Sequence, residues 1–391
     1  MSLYESLGVT PIINAAGTNT RLSGGMMHPD IRAAMAEAAD WCVEMHDLQA
    51  AASRAITEAT GAEAGIVTSG AAAALTLGAA ACVARFDVAQ MHGVPIRTDR
   101  DQFVMARSHR NMYDRAVQSA GCWIEEVGIP DRFSGAGIRD ADAEDFASAF
   151  GARTAGVLWV AQPWAEPALA DVVRVAHDAG LPVMVDAAAQ LPPRANLRRF
   201  LDAGADLVCF SGGKAIGGPQ ASGILAGRRD LVASALLQML DLDLPPAQFA
   251  LPPEFACDDA PKQLPRHGIG RACKAGKEEI VGLIVALRRF VAEGDAPQAA
   301  RLRAVLDRVR APLGNAPGVS ITEGPVPLLL LAMGSPAEAR AAEAALRARH
   351  IHIGQGRLRD GVLVVNPLAL AERDIAPLGQ ALRQVCGLLD R

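Results

Sequence analysis

Residues 206–218 read DLVCFSGGKAIGG, and how this stretch is read decides the fold. Leu207, Val208, Cys209 and Phe210 form an apolar run with the length of a buried strand. The run breaks at Ser211-Gly212-Gly213, offers one lysine, Lys214, and turns away through Gly217-Gly218. Glycines on both sides of a lysine allow close backbone approach and exclusion of water. Desolvation disfavours an ammonium, so a lysine here leans towards its neutral, nucleophilic form. The alternative is a surface lysine in a strand-to-loop turn, which the stretch alone leaves open.

Outward from it, strand and helix patterns alternate. Apolar runs predict strands from Ala64 to the break at Thr68-Ser69-Gly70, and at Gln102–Ala106, Cys122–Val127, Thr154–Ala161, Pro182–Val185 (ending in Asp186), Asp206–Phe210 and Ala221–Ala226. Helices are predicted over Pro29–Ala39, Leu48–Thr60, an alanine-rich run after Gly70, Tyr113–Ala120, Asp140–Phe150 and Ala168–Ala179. Repetition of this kind predicts an α/β fold, a mostly parallel sheet between helices. Sites in such sheets form beyond the carboxyl ends of the strands. Four features fall there: Ser69-Gly70, His109, Asp186 and Lys214.

The domain reading is an irregular N-terminal arm over 1–28, a large domain over 29–270 and a bridging helix within 271–294. A smaller α+β domain is expected over 295–391. Residues 241–268 are proline-rich but hold large apolar side chains, which marks a functional loop rather than a flexible linker. The 1–28 segment, which includes Asn14–Gly25, lacks any period and is expected either to be disordered or to wrap over a partner or a site.

Composition excludes several classes. Net charge is −5 over 391 residues, and no basic cluster suggests a nucleic-acid surface. Half the residues are hydrophobic but only 4% aromatic, so the core is built from small and aliphatic side chains. The seven cysteines form no C-x-x-C pair and several lie in apolar runs, reading as reduced core residues. Neither a signal peptide nor a membrane span is evident, so a cytoplasmic protein is expected. His267, His350 and His352 lack the neighbours that metal ligation needs, and no metal is expected.

Each of the four features has a plain alternative: Ser69 as a simple helix cap, Asp186 as a cap or salt-bridge partner, His109 as a surface residue. Taken together they fit pyridoxal 5'-phosphate (PLP). Ser69, Gly70 and Ala71, at a helix start, offer clustered N–H donors for the phosphate. Asp186 offers a carboxylate to the pyridinium nitrogen, Lys214 an amine to the aldehyde, and His109 a planar group above the ring. Ser211, beside the lysine turn, is counted with the cofactor-binding positions. A carboxylate at short range raises a pyridinium pKa by roughly 1–3 units and keeps the ring an electron sink.

The runs SGGKAIGGPQASGILAGRRDL (211–231), VTSGAAAALTLGAAA (67–81) and RACKAGKEEIVGLIVAL (271–287) resemble the selenocysteine-synthase-like branch of fold-type-I PLP enzymes. The likeness is nearest to its D-glucosaminate-6-phosphate ammonia-lyase-like members. It implies covalent attachment of PLP at Lys214, Asp186 at the ring nitrogen, and a homodimer or larger assembly with sites at subunit interfaces. The chain departs from the selenium-transferase pattern in two places. Gly213 stands where the transferases carry an aspartate, and their R-x-x-R pair reads Arg271-Ala-Cys-Lys274 here. Cations are kept at both positions, so Arg271 and Lys274 are candidates for binding an anionic substrate group. Lacking the transferases' N-terminal tRNA-binding domain, the chain is expected to be a lyase. Its expected reaction removes water and ammonia from a small anionic hydroxy-amino acid to leave a keto acid. Racemase, aldolase, aminotransferase, selenium-transferase-like and non-catalytic PLP-binding readings stay open at this point.

Overall fold

The structure is a computed structural model describing residues 2–129, 140–258, 264–266 and 268–387. The chain divides into two compact units, Met1–Met27 with Ala292–Arg391, and His28–Val291. In chain order the strands are β1 (Ile13–Ala15), β2 (Ala64–Thr68), β3 (Gln102–Ala106), β4 (Trp123–Val127), β5 (Thr154–Val160), β6 (Val183–Asp186), β7 (Leu207–Ser211), β8 (Gly223–Gly227), β9 (Val319–Ile321), β10 (Leu329–Ala332), β11 (Ile351–Ile353) and β12 (Val362–Val365). The longer helices are α1 (Pro29–Ala39), α2 (Met45–Thr60), α3 (Ala71–Ala84), α4 (Leu169–Asp178), α5 (Arg229–Met239), α6 (Lys277–Glu293), α7 (Asp295–Arg310), α8 (Pro336–Arg347) and α9 (Ile375–Gly387).

The larger unit is built on a seven-stranded sheet of order β2–β8–β7–β6–β5–β3–β4. β8 runs antiparallel to both of its neighbours, and every other pairing is parallel. The carboxyl ends of β2, β3, β5, β6 and β7, and the start of β8, therefore share one edge. β5 to β8 are buried over almost their whole length, as strands covered on both faces must be. α3 is apolar on all sides and buried from Ala74 onwards. It crosses the sheet at Gly78, where a Cβ would lie 2.6 Å from the Met184 sulfur and 3.3–3.4 Å from Leu225 and Leu207. Leu75 and Leu77 beside it are fully buried, each contributing about 1.5–3 kcal/mol.

β2 is an edge strand, and its outer backbone is satisfied by side chains from α2. Gln49 Nε2 donates to the Val67 carbonyl (2.8 Å), and Gln49 Oε1 accepts from the Val67 N–H (2.9 Å). Ser53 Oγ accepts from the Gly65 N–H (3.1 Å). Covering an edge in this way removes a template for further strand pairing.

In the smaller unit β10 pairs antiparallel with β9 and β12, while β1 pairs parallel with β11, Asn14 opposite His352. Leu306 and Val309 of α7 and Leu378 and Leu382 of α9 pack with Leu329, Leu331 and Leu363 of the strands. The segment read as an irregular arm thus carries a strand whose partner lies near the other end of the chain. The Asn14 amide donates to the carbonyls of Gly17 and Gly24 (3.0 Å each), holding the intervening loop. The boundary between the units falls inside α6, the helix read as a bridge.

Most expected strands and helices coincide with observed ones to within a few residues. α5 was not expected. Its run LVASALLQM is buried from Leu231 to Met239, so it lacks the alternation of faces by which an amphipathic helix is recognised. The short helices Val88–Gly93 and Asn196–Asp202 were also unanticipated.

Candidate active site

Two neighbouring strands deliver the central pair. Asp186 closes β6, with Val160 of β5 opposite it on one side and Cys209 of β7 on the other. β7 ends at Ser211, and Gly212, Gly213 and Lys214 follow. The turn is fastened by the Gly212 N–H to the Ser222 carbonyl (3.0 Å), Gly218 N–H to Gly212 carbonyl (2.9 Å) and Gly217 N–H to Lys214 carbonyl (3.0 Å). Leu283 of α6 sits over it, so close that a Cβ on Gly212 would lie 2.7 Å from the leucine side chain.

Asp186 is 8% exposed. Burial pushes its carboxyl pKa up, while the Ala188 N–H (3.0 Å to Oδ1) and the Lys214 charge pull it down. Lys214 is half-buried, and burial holds its ammonium pKa below the ordinary lysine value against the opposing pull of Asp186. No hydrogen-bond partner for its amine occurs among the described residues. The chain has four lysines among its 38 basic residues (214, 262, 274 and 277), so an amine at this strand end is a marked choice of residue.

The start of α3 lies at the same edge. Its N-cap is Gly70, in a positive-φ conformation that side-chain-bearing residues rarely adopt (φ 149°, ψ 167°), and no side chain among the described residues caps the first turn. Ser69 is therefore not the simple cap that its sequence position allows. Its own N–H donates to the Cys273 carbonyl (2.9 Å), and Thr68 Oγ1 donates to the Gly70 carbonyl (2.9 Å). The N–H groups of Ala71, Ala72 and Ala73 are left facing outward with the positive end of the helix dipole, which suits an anion. Gly223 opens β8 against this turn, where a Cβ would lie 2.3 Å from the Gly70 carbonyl carbon and 2.6 Å from the Ala71 nitrogen. Only hydrogen fits at that position.

His109 stands on a single 3-10 turn after β3 and is 1% exposed. Its Nδ1 accepts from the Val160 N–H (3.4 Å), and its ring meets Trp159 edge to face at 5.6 Å. Val160 is the residue paired with Asp186, so the imidazole reaches the same strand end. Arg107 and Arg110, on either side of His109, are both committed: Arg107 to Glu126 (2.9 Å), Arg110 to Asp114 and Glu126. Arg271 is paired with Asp241 (2.9 Å), whereas Lys274 has no ion-pair or hydrogen-bond partner among the described residues. Arg21 belongs to the smaller unit, where its charge bears on His352. No cluster able to hold a metal ion occurs among the described residues; His267 lies outside them. No helix among them is long and apolar enough to cross a membrane.

Sheet order, the single antiparallel strand and the lysine–aspartate pair at the strand ends define a fold-type-I PLP-enzyme fold. Within that class, the family model for L-seryl-tRNA selenium transferase (SelA) matches residues 12–243, and the chain belongs to this family. The D-glucosaminate-6-phosphate ammonia lyase of Salmonella typhimurium is 29% identical over 405 residues, 98% of each chain. A 5'-C-glycyluridine monooxygenase-decarboxylase from Streptomyces is 29% identical over 394 residues, 96% of this chain and 89% of the relative. A solved structure of D-glucosaminate-6-phosphate ammonia-lyase superposes with a TM-score of 0.78 at 27% identity, covering all of both chains.

Proposed function

We propose that the chain binds PLP through Lys214 and converts a β-hydroxylated, anionic amino acid to a keto acid and ammonia, by loss of water followed by hydrolytic release of ammonia. One observation carries this reading: an amine with a lowered pKa and no hydrogen-bond partner among the described residues follows the end of β7, and the neighbouring strand β6 ends in a buried carboxylate whose charge bears on it. The donor set suits the cofactor in detail. The open first turn of α3 (with Ser69, Gly70 and Ala71) would hold the phosphate, Asp186 the ring nitrogen, Lys214 the aldehyde carbon, and His109 a face of the ring, with Ser211 alongside.

Bound there, PLP supplies a sink for the electron pair released at the substrate's α-carbon. Asp186, already costly to keep charged in its burial, gains a cation to offset it. The Lys214 amine would serve as the base for the α-proton, its depressed pKa leaving a larger fraction unprotonated near neutrality. Loss of the β-hydroxyl with a proton, then re-entry of one water and departure of ammonia, balances the overall change. Assembly as a homo-oligomer and a cytoplasmic setting, without a nucleic-acid partner, belong to the same reading.

The Streptomyces relative, similar over nearly the whole chain, supports a second reading: decarboxylation of the amino acid with consumption of dioxygen. An amino-acid screen in both stereochemical series, assayed for keto acid and ammonia and separately for carbon dioxide and oxygen uptake, separates the two. Lys214→Ala should abolish turnover and borohydride trapping of the cofactor. Turnover with an unaltered cofactor spectrum in that variant would end the proposal.

A further inference from the structure

A cavity of about 390 Å³ opens between the start of α2, the end of α5 and residues 271–277. It is tied to the start of α3 through the backbone: the Ser69 N–H donates to the carbonyl of Cys273 (2.9 Å), which lies in sequence between the lining residues Arg271 and Lys274. Its walls are largely apolar, with Met45, Leu242, Leu244 and Phe249 among them. The edge of His46 packs on the Phe249 ring, centroids 5.6 Å apart.

The charges around it are mostly spent on one another. Arg271 is paired with Asp241 (2.9 Å). His46 lies between Glu44 (3.8 Å) and Asp47 (3.7 Å). Lys277 donates to the carbonyls of Ala39 (3.0 Å) and Trp41 at the end of α1. Lys274 is the one lining cation without a partner among the described residues.

A polyhydroxylated, phosphorylated chain would leave its hydroxyls against aliphatic and aromatic carbon here, without partners, which is costly. A doubly charged phosphate would meet one uncommitted cation. An aromatic or branched alkyl group instead gains by burial, and a single carboxylate matches Lys274.

Resting on the PLP reading above, we propose that this cavity is the substrate's side-chain subsite. The substrate class is then an amino acid with a bulky apolar side chain and one anionic group held at Lys274, not a sugar-acid phosphate.

The test uses ligands that lack an amine and so cannot react at the cofactor. 3-Phenylpropionate and 6-phosphogluconate are titrated calorimetrically into apo- and PLP-loaded full-length protein. The expected result is 3-phenylpropionate binding about tenfold or more tightly than 6-phosphogluconate. That preference should fall in Phe249→Ala, with Phe249→Leu intermediate, while Lys274→Gln weakens both ligands. Tighter binding of 6-phosphogluconate, absence of binding by either, or indifference of 3-phenylpropionate to Phe249→Ala and Phe249→Leu would overturn the proposal. Borohydride trapping of PLP on Lys214, followed by peptide mass, is run in parallel. Its failure would count against the PLP reading alone and is distinguishable from a failed titration.

Discussion

Gly223→Ala tests the phosphate cradle without touching a group that does chemistry. The added methyl would stand 2.3 Å from the Gly70 carbonyl carbon, 2.6 Å from its oxygen and 2.6 Å from the Ala71 nitrogen. Ordinary contact begins near 3.4 Å, so something must retreat by about 1.1 Å. β8 is not free to do so, since Gly223 is paired with Thr68 on one side and Ser211 on the other. The turn at Gly70 and the first N–H groups of α3 must move instead. A hydrogen bond stretched by about 1 Å from its usual ~2.9 Å is effectively lost. One bond to a charged acceptor is worth about 1.5–3 kcal/mol, so PLP affinity should fall by roughly ten- to hundredfold. Overpacking should also cost about 1–3 kcal/mol of stability.

The assay is titration of apoprotein with PLP and, separately, with pyridoxal, which has no phosphate, alongside thermal melts. Gly151→Ala, at a glycine with nothing within 4 Å of the added methyl, serves as the control. Gly223→Ala should weaken PLP far more than pyridoxal. Equal weakening of the two, or unchanged PLP affinity in a folded variant, would refute the placement of the phosphate.

Three further outcomes are expected. Asp186→Asn should leave the apoprotein as stable as wild type or more so at neutral pH, while PLP affinity falls. The raised carboxyl pKa means that charging Asp186 costs stability above its folded-state pKa, a cost absent below the ordinary carboxyl range; melts of both proteins from about pH 4 to 7 should therefore converge towards the acid end. Lys214 should react with an amine reagent in the apoprotein at lower pH than free Nα-acetyllysine does, read by peptide mass, and faster still in Asp186→Asn, because Asp186 opposes the lowering of its pKa; reaction in step with the free amino acid would contradict this. Gln49→Leu should destabilise by about 2–5 kcal/mol in denaturant melts, since it strips both the donor and the acceptor that satisfy buried Val67, and should promote self-association through the uncovered β2 edge.

What the sequence disclosed and what it hid divide along a physical line. Asp186 and Lys214 were legible because each ends an apolar run, and a charge at the end of a buried strand signals itself locally. The role of Gly223 was hidden. Its run reads as a strand, but only the antiparallel direction of β8 brings its first residue against Gly70, and direction is set by pairing rather than by composition. The partners of Arg107 and Arg110 are hidden for the same reason: β3–β4 register sets Val127 opposite Ala106 and so brings Glu126 within reach of both arginines. The apolar cavity was the least visible feature, since His46, Phe249 and Lys274 come from three separated segments with no motif in common. Groups that bind a shared cofactor must sit at fixed strand ends, which ties them to recognisable local patterns. Groups that choose a substrate need only converge on its distal end, and loops can supply them in many ways. Two relatives at 29% identity, named for an ammonia lyase and a monooxygenase-decarboxylase, fit that division. On the subsite proposed above, Phe249 and Lys274, rather than Lys214 and Asp186, would be the positions that set this chain's specificity apart.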